Sequence, residues 1–264
     1  MRPAGEASIV VDCLGRKLRG LVKVQPFAGE GGEGPPQFAK ERVQVEAADD
    51  LLPLITGTKK LYMTGAPAGD EEIICRERTL VAQWLQRKLQ PQFETPIEVT
   101  SASASHHGKV LARFAGSEEP SKSWQRFYST FHIDHKQNTA SMEEGVQVNV
   151  WLNLSEQPIS DFNLGFLQRA GCIMAGGELP LLTQEDLEEV TIRYQAELTK
   201  DQALIFQSTG AQSVVHGCFR FQDVDQLTHA PRYSLEFRLL LRQLRVSLPE
   251  PCRGHNGHNG HNHS

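Results

Sequence analysis

Hydrophobic and polar residues alternate along several stretches of the chain, as expected for β-strands with one buried face. The alternation is clearest over residues 146–154, where one face is entirely Val and Leu. The opposite face of this stretch consists of Gln147, Asn149, Trp151 and Asn153. The same pattern predicts further strands at residues 8–11, 18–24, 109–114, 127–134, 213–221 and 232–239.

One stretch has strong helical periodicity, at residues 76–89, and Pro91 follows it as a stop signal. Its apolar stripe consists of Leu80, Val81, Trp84, Leu85 and Leu89. A short second helix is predicted at residues 183–189. Predominantly antiparallel strands flanked by a few helices indicate a mainly β fold with flanking helices (α+β), namely a double-stranded β-helix or cupin-like jelly roll.

The length of 264 residues is sufficient for one large domain. We expect a single domain at residues 1–253, with a jelly-roll core at about residues 97–246 and an N-terminal extension at residues 1–96. The Gly- and Pro-rich residues 27–36 are predicted to form a loop. Residues 254–264 repeat Gly, His and Asn, and we interpret them as a disordered His-rich tail or a tag outside the active site.

Composition excludes several classes of partner. The net charge of −5 gives no positive field for nucleic acid or a membrane surface. No apolar run is long enough to span a bilayer, and the N-terminus lacks a signal pattern. The five cysteines show no paired spacing for zinc or disulfides. We therefore expect a cytoplasmic protein, either a monomer or a homodimer.

Three residues have the type and spacing of a facial iron(II) site. His132 and Asp134 are two positions apart on the polar face of a predicted strand, so both side chains can reach one metal ion. His216 lies on the polar face of a later strand. Two imidazoles and one carboxylate hold one face of iron(II) and leave other positions open for dioxygen. Singly, each residue has an ordinary explanation, such as a core histidine or a strand-end aspartate, but the combination favours a non-haem iron oxygenase.

A second group of polar residues is suited to binding a carboxylate. Arg232 and Ser234 share one face of the last predicted strand, so the guanidinium fork and the hydroxyl can bind one carboxylate together. A surface ion pair is the ordinary explanation for Arg232. Tyr128, on the face of the first two ligands, and Asn149 and Trp151 are candidates for the substrate or cosubstrate pocket, although the latter two could simply line the barrel.

These residues lie in blocks that resemble a known family. The sequence Val148-Asn149-Val150-Trp151, the later segment beginning Pro158-Ile159-Ser160-Asp161, and the ending Pro231-Arg232-Tyr233-Ser234-Leu235-Glu236-Phe237-Arg238 are similar to those of the CmcJ/AsaB-like hydroxylase/desaturase family of iron(II)/2-oxoglutarate-dependent oxygenases. The resemblance covers about residues 109–242. It departs from the family pattern at Leu152-Asn153 and Asn163-Leu164-Gly165, positions that bear on the substrate.

The resemblance implies that His132, Asp134 and His216 hold Fe(II), and that Arg232 and Ser234 bind the distal carboxylate of 2-oxoglutarate. With dioxygen as the other cosubstrate, the enzyme would hydroxylate or desaturate a small molecule of specialised metabolism and release succinate and CO2. Both reaction outcomes stay open. The alternative is a cupin-like metal-dependent ligand-binding protein without oxidative turnover, which would have no need to keep Arg232 and Ser234.

Overall fold

Two β-sheets face each other in the computed structural model. The model describes residues 5–13, 16–27, 36–65, 71–101, 110–115, 124–126, 131–134, 140–159, 162–169, 172–173, 189–219 and 232–245. The major sheet contains β3 (Val43–Ala47), β4 (Ile97–Thr100), β5 (Val110–Ala115), β6 (Gln125–Arg126), β7 (Val146–Asn153), β11 (Gln202–Gln207) and β13 (Arg232–Gln243). The minor sheet contains β1 (Gly5–Cys13), β2 (Arg16–Pro26), β8 (Asn163–Arg169), β9 (Cys172–Ile173), β10 (Val190–Tyr194) and β12 (His216–Phe219).

The strand order shows how distant parts of the chain become neighbours. The major sheet runs β3-β11-β7-β13-β5-β6, with β4 also paired to β13, and the minor sheet runs β1-β2-β10-β8-β12, with β9 paired to β8. Most neighbours are antiparallel, while β2 with β10 and β5 with β6 are parallel. Residues 1–96, predicted as an extension, thus contribute β1 and β2 to one sheet and β3 to the other.

The central strand β7 is buried on both faces, and the two faces differ in chemistry. Its valines and leucines pack in one apolar cluster with Trp84, Leu85 and other helix residues on the outer side of the major sheet. Its polar face points into the space between the sheets, where Trp151 packs with Phe166 of the minor sheet. The alternation predicted for residues 146–154 is therefore confirmed, and it places the polar side chains in the interior of the barrel.

Three α-helices are described, α1 (Phe38–Glu41), α2 (Thr56–Thr64) and α3 (Glu71–Leu89). Short 3-10 helices at Leu52–Ile55 and Gln90–Gln92 precede α2 and follow α3. The end of α3 agrees with the prediction, but the helix begins five residues earlier than residue 76, with Glu71 and Glu72 in its first turn. Acidic side chains there are favourable beside the positive end of the helix dipole. Trp84 is fully buried, so its predicted packing role is confirmed. In the described part of the chain, no helix is long and apolar enough to cross a membrane.

The predicted strand at residues 127–134 is wrong for the part that the structure describes. His132 forms a single antiparallel bridge with His216, and the next donor, Asp134 N, turns to Ser208 O at 3.1 Å, at the end of β11. The segment thus crosses from one sheet toward the other, and its backbone cannot continue a ladder. The strand predicted at residues 213–221 is shorter at its start, because Val214 N donates to Gln207 O before β12 begins.

Several predicted features lie outside the described residues. They are the loop at residues 28–35, residues 127–130, the helix at residues 183–189 apart from Glu189, and the tail at residues 254–264.

A buried carboxylate fixes the start of α2 against α3. Glu77 is 4% exposed and accepts hydrogen bonds from Gly57 N at 2.9 Å and Thr58 N at 2.7 Å. These are two of the first amide groups of α2, which have no acceptor within the helix. The negative carboxylate also lies at the positive end of the helix dipole. Glu77 thus joins the two helices that cover the outer face of the major sheet.

We expect Glu77→Ala to lower the free energy of unfolding by about 1–3 kcal/mol, because two amide groups lose their acceptor. Urea denaturation of the purified variants measures this change. Gln83→Ala, at an exposed position of the same helix, is the matched control and should stay within about 0.5 kcal/mol of the wild type. Equal losses in the two variants would contradict the capping role of Glu77.

Candidate metal site

The two predicted histidine ligands face each other across a short backbone bridge. His132 N donates to His216 O at 2.8 Å, and His216 N donates to His132 O at 3.0 Å. Residues directly opposite in an antiparallel pair place their side chains on the same face. The imidazole rings accordingly lie with their centroids 4.6 Å apart.

Asp134 completes the group. One ligand atom from each of His132, Asp134 and His216 lies within 4.8 Å of the others. Asp134 Oδ1 is 3.7 Å from His132 Nε2. The structure therefore brings together the three residues that the sequence singled out, and the group could hold a metal ion. Two imidazoles and one carboxylate are the donor set of a non-haem iron(II) site.

His216 is held in the form that a metal ligand requires. Its Nδ1 lies 3.0 Å from Val214 O. A carbonyl oxygen can only accept a hydrogen bond, so Nδ1 carries the proton and Nε2 keeps a lone pair that can bind a metal. The side chain packs against the ring of Phe206, with centroids 4.6 Å apart. Burial, together with the nearby His132, lowers the pKa of His216 to about 4. The imidazole is therefore neutral at physiological pH.

The Asp134 carboxylate is bonded at both oxygens. Oδ2 accepts from Gln147 Nε2 at 2.7 Å and from Asn149 Nδ2 at 3.2 Å, and Oδ1 accepts from Arg238 Nη2 at 3.0 Å. Burial on its own would raise the pKa of Asp134, but attraction to His216 and His132 in their protonated forms, the charge of Arg238 and the Asn149 hydrogen bond outweigh it and lower the pKa. At physiological pH, where His216 is neutral, the Arg238 charge and the amide hydrogen bonds stabilise the carboxylate. Asp134 is thus an oriented carboxylate anion.

Two further charged residues beside the triad were not predicted as site residues. Arg238 donates to Asp134 and also, through Nε, to Glu236 Oε1 at 2.8 Å. Burial raises the pKa of Glu236. The alternation of the strand predicted at residues 232–239 puts Glu236 and Arg238 on the same face as Arg232 and Ser234. The sequence did not predict the strand register that brings this part of β13 next to Asp134.

The predicted carboxylate clamp, Arg232 and Ser234, is also buried between the sheets. Arg232 is 4% exposed, its Nη1 donates to Phe162 O and lies 3.4 Å from Cys218 Sγ, and its guanidinium carbon is 5.2 Å from the Trp151 ring. Ser234 Oγ donates to Arg113 O at 3.4 Å. Cys218 is buried and follows His216 by two positions on β12, on the same face, so the guanidinium lies about 7 Å along the strand from that ligand.

The remaining predicted pocket residues have separate outcomes. Asn149 is fully buried and bonds to the Asp134 carboxylate, while Trp151 is 2% exposed and packs against Arg232. Tyr128 lies outside the described residues. The roles of Arg232, Ser234, Asn149 and Trp151 in ligand binding stay predictions.

Similarity to known proteins is found at the level of structure. No family model matches the sequence, and no curated protein sequence matches it. The structure is similar to that of the iron and alpha-ketoglutarate-dependent endoperoxidase NvfI in one conformation, with a TM-score of 0.56 at 14% sequence identity over 93% of this chain and 99% of that chain. A tryptophan-to-phenylalanine variant of NvfI gives a TM-score of 0.55 at the same identity over the same shares, and a third NvfI structure gives 0.52 at 14% identity over 87% and 88%.

The likeness to these oxygenase structures confirms the predicted jelly-roll fold. At this sequence identity it establishes the fold alone. The donor set of the triad fits the predicted cofactor, Fe(II) with 2-oxoglutarate and dioxygen as cosubstrates. No family model supports the narrower resemblance to the CmcJ/AsaB-like family.

The depressed pKa of His216 predicts a pH dependence of stability for the metal-free protein. The unfolded chain takes up a proton on this residue near pH 6.5, but the folded protein does so only near pH 4. The unfolded state therefore gains protons first, and the free energy of unfolding should fall by about 2–3 kcal/mol as pH decreases through this window.

Urea denaturation at pH 7 and pH 4.5 measures the effect, with His216→Asn as the comparison because it keeps a donor near the Nδ1 position. The raised pKa of Glu236 acts in the opposite direction, but it is common to both proteins. The wild type should lose more stability than the variant, and identical losses would contradict the assignment.

Proposed function

We propose that the protein is an Fe(II)/2-oxoglutarate-dependent dioxygenase that oxidises a small-molecule substrate. The observation that supports this proposal best is the convergence of His132, Asp134 and His216 within 4.8 Å, on a fold that it shares with iron and alpha-ketoglutarate-dependent enzymes. The ordinary explanations for these residues account for each one singly, but not for their meeting at one point between the sheets.

The triad suits a divalent iron ion in charge and in protonation. His216 is neutral, with Nδ1 donating to Val214 O, so Nε2 is the donor atom. Asp134 supplies the negative charge and presents Oδ1, while Oδ2 is occupied by two amide donors. Iron bound here would catalyse the oxidative decarboxylation of 2-oxoglutarate by dioxygen to succinate and CO2. This reaction would provide the oxidising power for the attack on the substrate.

Arg232, helped by Ser234, would bind the distal carboxylate of 2-oxoglutarate. A planar guanidinium matches a carboxylate in a bidentate geometry. Trp151 and Phe162 O hold this guanidinium in place, and the position of Cys218 sets it about 7 Å along β12 from His216. A short dicarboxylic acid can therefore reach the metal with one end and Arg232 with the other.

The finer assignment rests on the sequence blocks that resemble the CmcJ/AsaB-like family. On this basis we infer hydroxylation or desaturation of a specialised metabolite. NvfI is named an endoperoxidase, so formation of an endoperoxide is a third outcome; its two oxygen atoms would come from a second dioxygen molecule, because the first gives one oxygen atom to succinate. Mass spectrometry of the product separates a gain of one oxygen, a loss of two hydrogens and a gain of two oxygens. The domain limits, the cytoplasmic location and the monomeric or homodimeric state stay predictions.

We expect anaerobic addition of Fe(II) and then 2-oxoglutarate to give the weak visible charge-transfer band of a 2-oxo acid chelated to iron(II). The protein should be prepared without residues 254–264, because spare imidazoles bind other metals. In Arg232→Ala, iron should still bind, but the 2-oxoglutarate concentration that gives half of the band should rise by at least about tenfold, since a charge-assisted hydrogen bond is lost.

Arg245→Ala is the matched control, because Arg245 is exposed and pairs with Glu143. It should titrate as the wild type does. If iron binds to the wild type and no band forms with 2-oxoglutarate, the oxygenase proposal fails and the cupin-like ligand-binding protein takes its place.

Asp134→Ala should abolish the uncoupled formation of succinate from 2-oxoglutarate and weaken iron binding, because the only anionic ligand is lost and two neutral imidazoles remain. Succinate can be measured without knowledge of the substrate. Glu156→Ala, at an exposed position paired with Lys200, is the control. Succinate formation at the wild-type rate in Asp134→Ala would contradict the assignment of this carboxylate as a ligand.

A further inference from the structure

Asp134 belongs to a closed ring of four polar side chains, Asp134, Arg238, Glu236 and Asn149, which we call the carboxylate ring. Arg238 donates to Asp134 Oδ1 at 3.0 Å and to Glu236 Oε1 at 2.8 Å. Asn149 Nδ2 lies 3.2 Å from Asp134 Oδ2 and 3.2 Å from Glu236 Oε1. Each carboxylate is thus linked to the other by two separate paths.

The ring limits how Asp134 can be presented. Gln147 and Asn149 both bond to Oδ2, and Gln147 is itself held by Ser208 Oγ at 2.8 Å. Oδ1 is the oxygen that faces His132. A carboxylate oxygen has two lone pairs, so Oδ1 can keep the Arg238 hydrogen bond and still offer an electron pair to a metal.

The charges of the ring are as informative as its geometry. Arg238 is always charged, and on its own it would cancel Asp134, the one negative charge of the triad. Glu236 lies 2.8 Å from the same guanidinium. Burial raises the pKa of Glu236, but the Arg238 charge opposes this shift and favours the carboxylate, and as a carboxylate Glu236 restores a net charge of one negative unit to the ring. A divalent cation that approaches Asp134 therefore meets an anionic group, even though a guanidinium lies 3.0 Å from the carboxylate oxygen.

Stability alone is a weak reason for such an arrangement. Glu236 is 9% exposed and the Arg238 side chain is 19% exposed. Ion pairs buried to this degree contribute little net stability, because the cost of removing the charges from water offsets their attraction. Hydrogen-bond partners of metal ligands, by contrast, orient the ligand and typically change metal affinity by about 10- to 100-fold.

We propose that Glu236 is a positioning residue of the metal site, which acts through Arg238 to fix the Asp134 carboxylate and to keep the site anionic. This inference rests on the proposed metal site. It also assigns Arg238 a role of its own, because its guanidinium is engaged by two carboxylates of the chain, Asp134 and Glu236.

The test is anaerobic isothermal titration of metal-free protein, without residues 254–264, with Fe(II) alone. Glu236→Gln has nearly the shape of Glu236 but leaves Arg238 to cancel the Asp134 charge, so the carboxylate ring becomes neutral, and we expect Fe(II) affinity to fall by about 10- to 100-fold. The Glu236→Gln/Arg238→Gln double variant has the net charge of the wild-type ring. It should bind Fe(II) more tightly than Glu236→Gln alone, although orientation is still impaired.

A purely structural role of Glu236 would not give this recovery of Fe(II) affinity, because removing a second member of the network would only add to the structural loss. Glu143→Gln, at an exposed site paired with Arg245, is the charge-matched control and should bind Fe(II) as the wild type does. Glu236→Asp keeps the charge and should bind more tightly than Glu236→Gln. If Glu236→Gln does not fold, Glu236→Asp is compared with the wild type in its place.

The inference is overturned if Glu236→Gln binds Fe(II) as the wild type does, or if the double variant binds no better than Glu236→Gln. Either result leaves the proposed function standing, because the wild type and Glu143→Gln would still bind iron. Failure of the wild type itself to bind Fe(II) would instead overturn the proposed function, and this inference with it.

Discussion

The candidate site depends on the pair of backbone hydrogen bonds between His132 and His216. These two bonds, of 2.8 and 3.0 Å, attach a segment with little regular structure to the edge of the minor sheet. Because the residues are directly opposite, the imidazoles are brought together by the backbone and need no contact between themselves. Asp134 lies two residues beyond His132, and the hydrogen bond from its amide group to Ser208 O fixes its backbone beside the two imidazoles.

Phe131 and Ile133 secure this attachment on the other side of the segment. Both are at most 3% exposed and pack with Val215 and Phe219, which flank His216 and Cys218 on β12. The alternation of apolar and polar residues over 131–134 therefore has two consequences. Phe131 and Ile133 pack the segment against the outer surface of the minor sheet, while His132 and Asp134 point inward. In this way, backbone hydrogen bonds and apolar packing hold together three candidate ligands from distant parts of the sequence.

The sequence was sufficient where the chemistry is carried by local periodicity. The period of two predicted the buried strands, the inward face of β7 and the shared face of Arg232 and Ser234, and the type and order of His132, Asp134 and His216 predicted the triad. It was insufficient where the outcome depends on pairing. Residues 131–134 have the alternation of a strand, but the backbone donor of Asp134 goes to Ser208, a partner that no local pattern reveals. The start of α3 was missed because two buried charged residues, Glu77 and Arg78, interrupt the apolar stripe after Ile74, which itself packs against the core.

The register between β13 and β7 explains why the sequence alone did not identify Glu236 and Arg238 as site residues. It also explains how these charged residues are accommodated in the interior. In the pairing of β13 with β7, Arg238 is opposite Asn149 and Glu236 is opposite Trp151. A slip of one residue would turn Phe237 and Leu235 inward and move the charged residues into the apolar cluster that packs on α3. That cluster, with Phe237, Leu239 and the valines of β7 almost fully buried, makes such a slip costly. The hydrophobic contacts on the outer face of the major sheet therefore specify which polar groups surround Asp134. The core that stabilises the fold lies on one side of the sheet, and the charged network lies on the other.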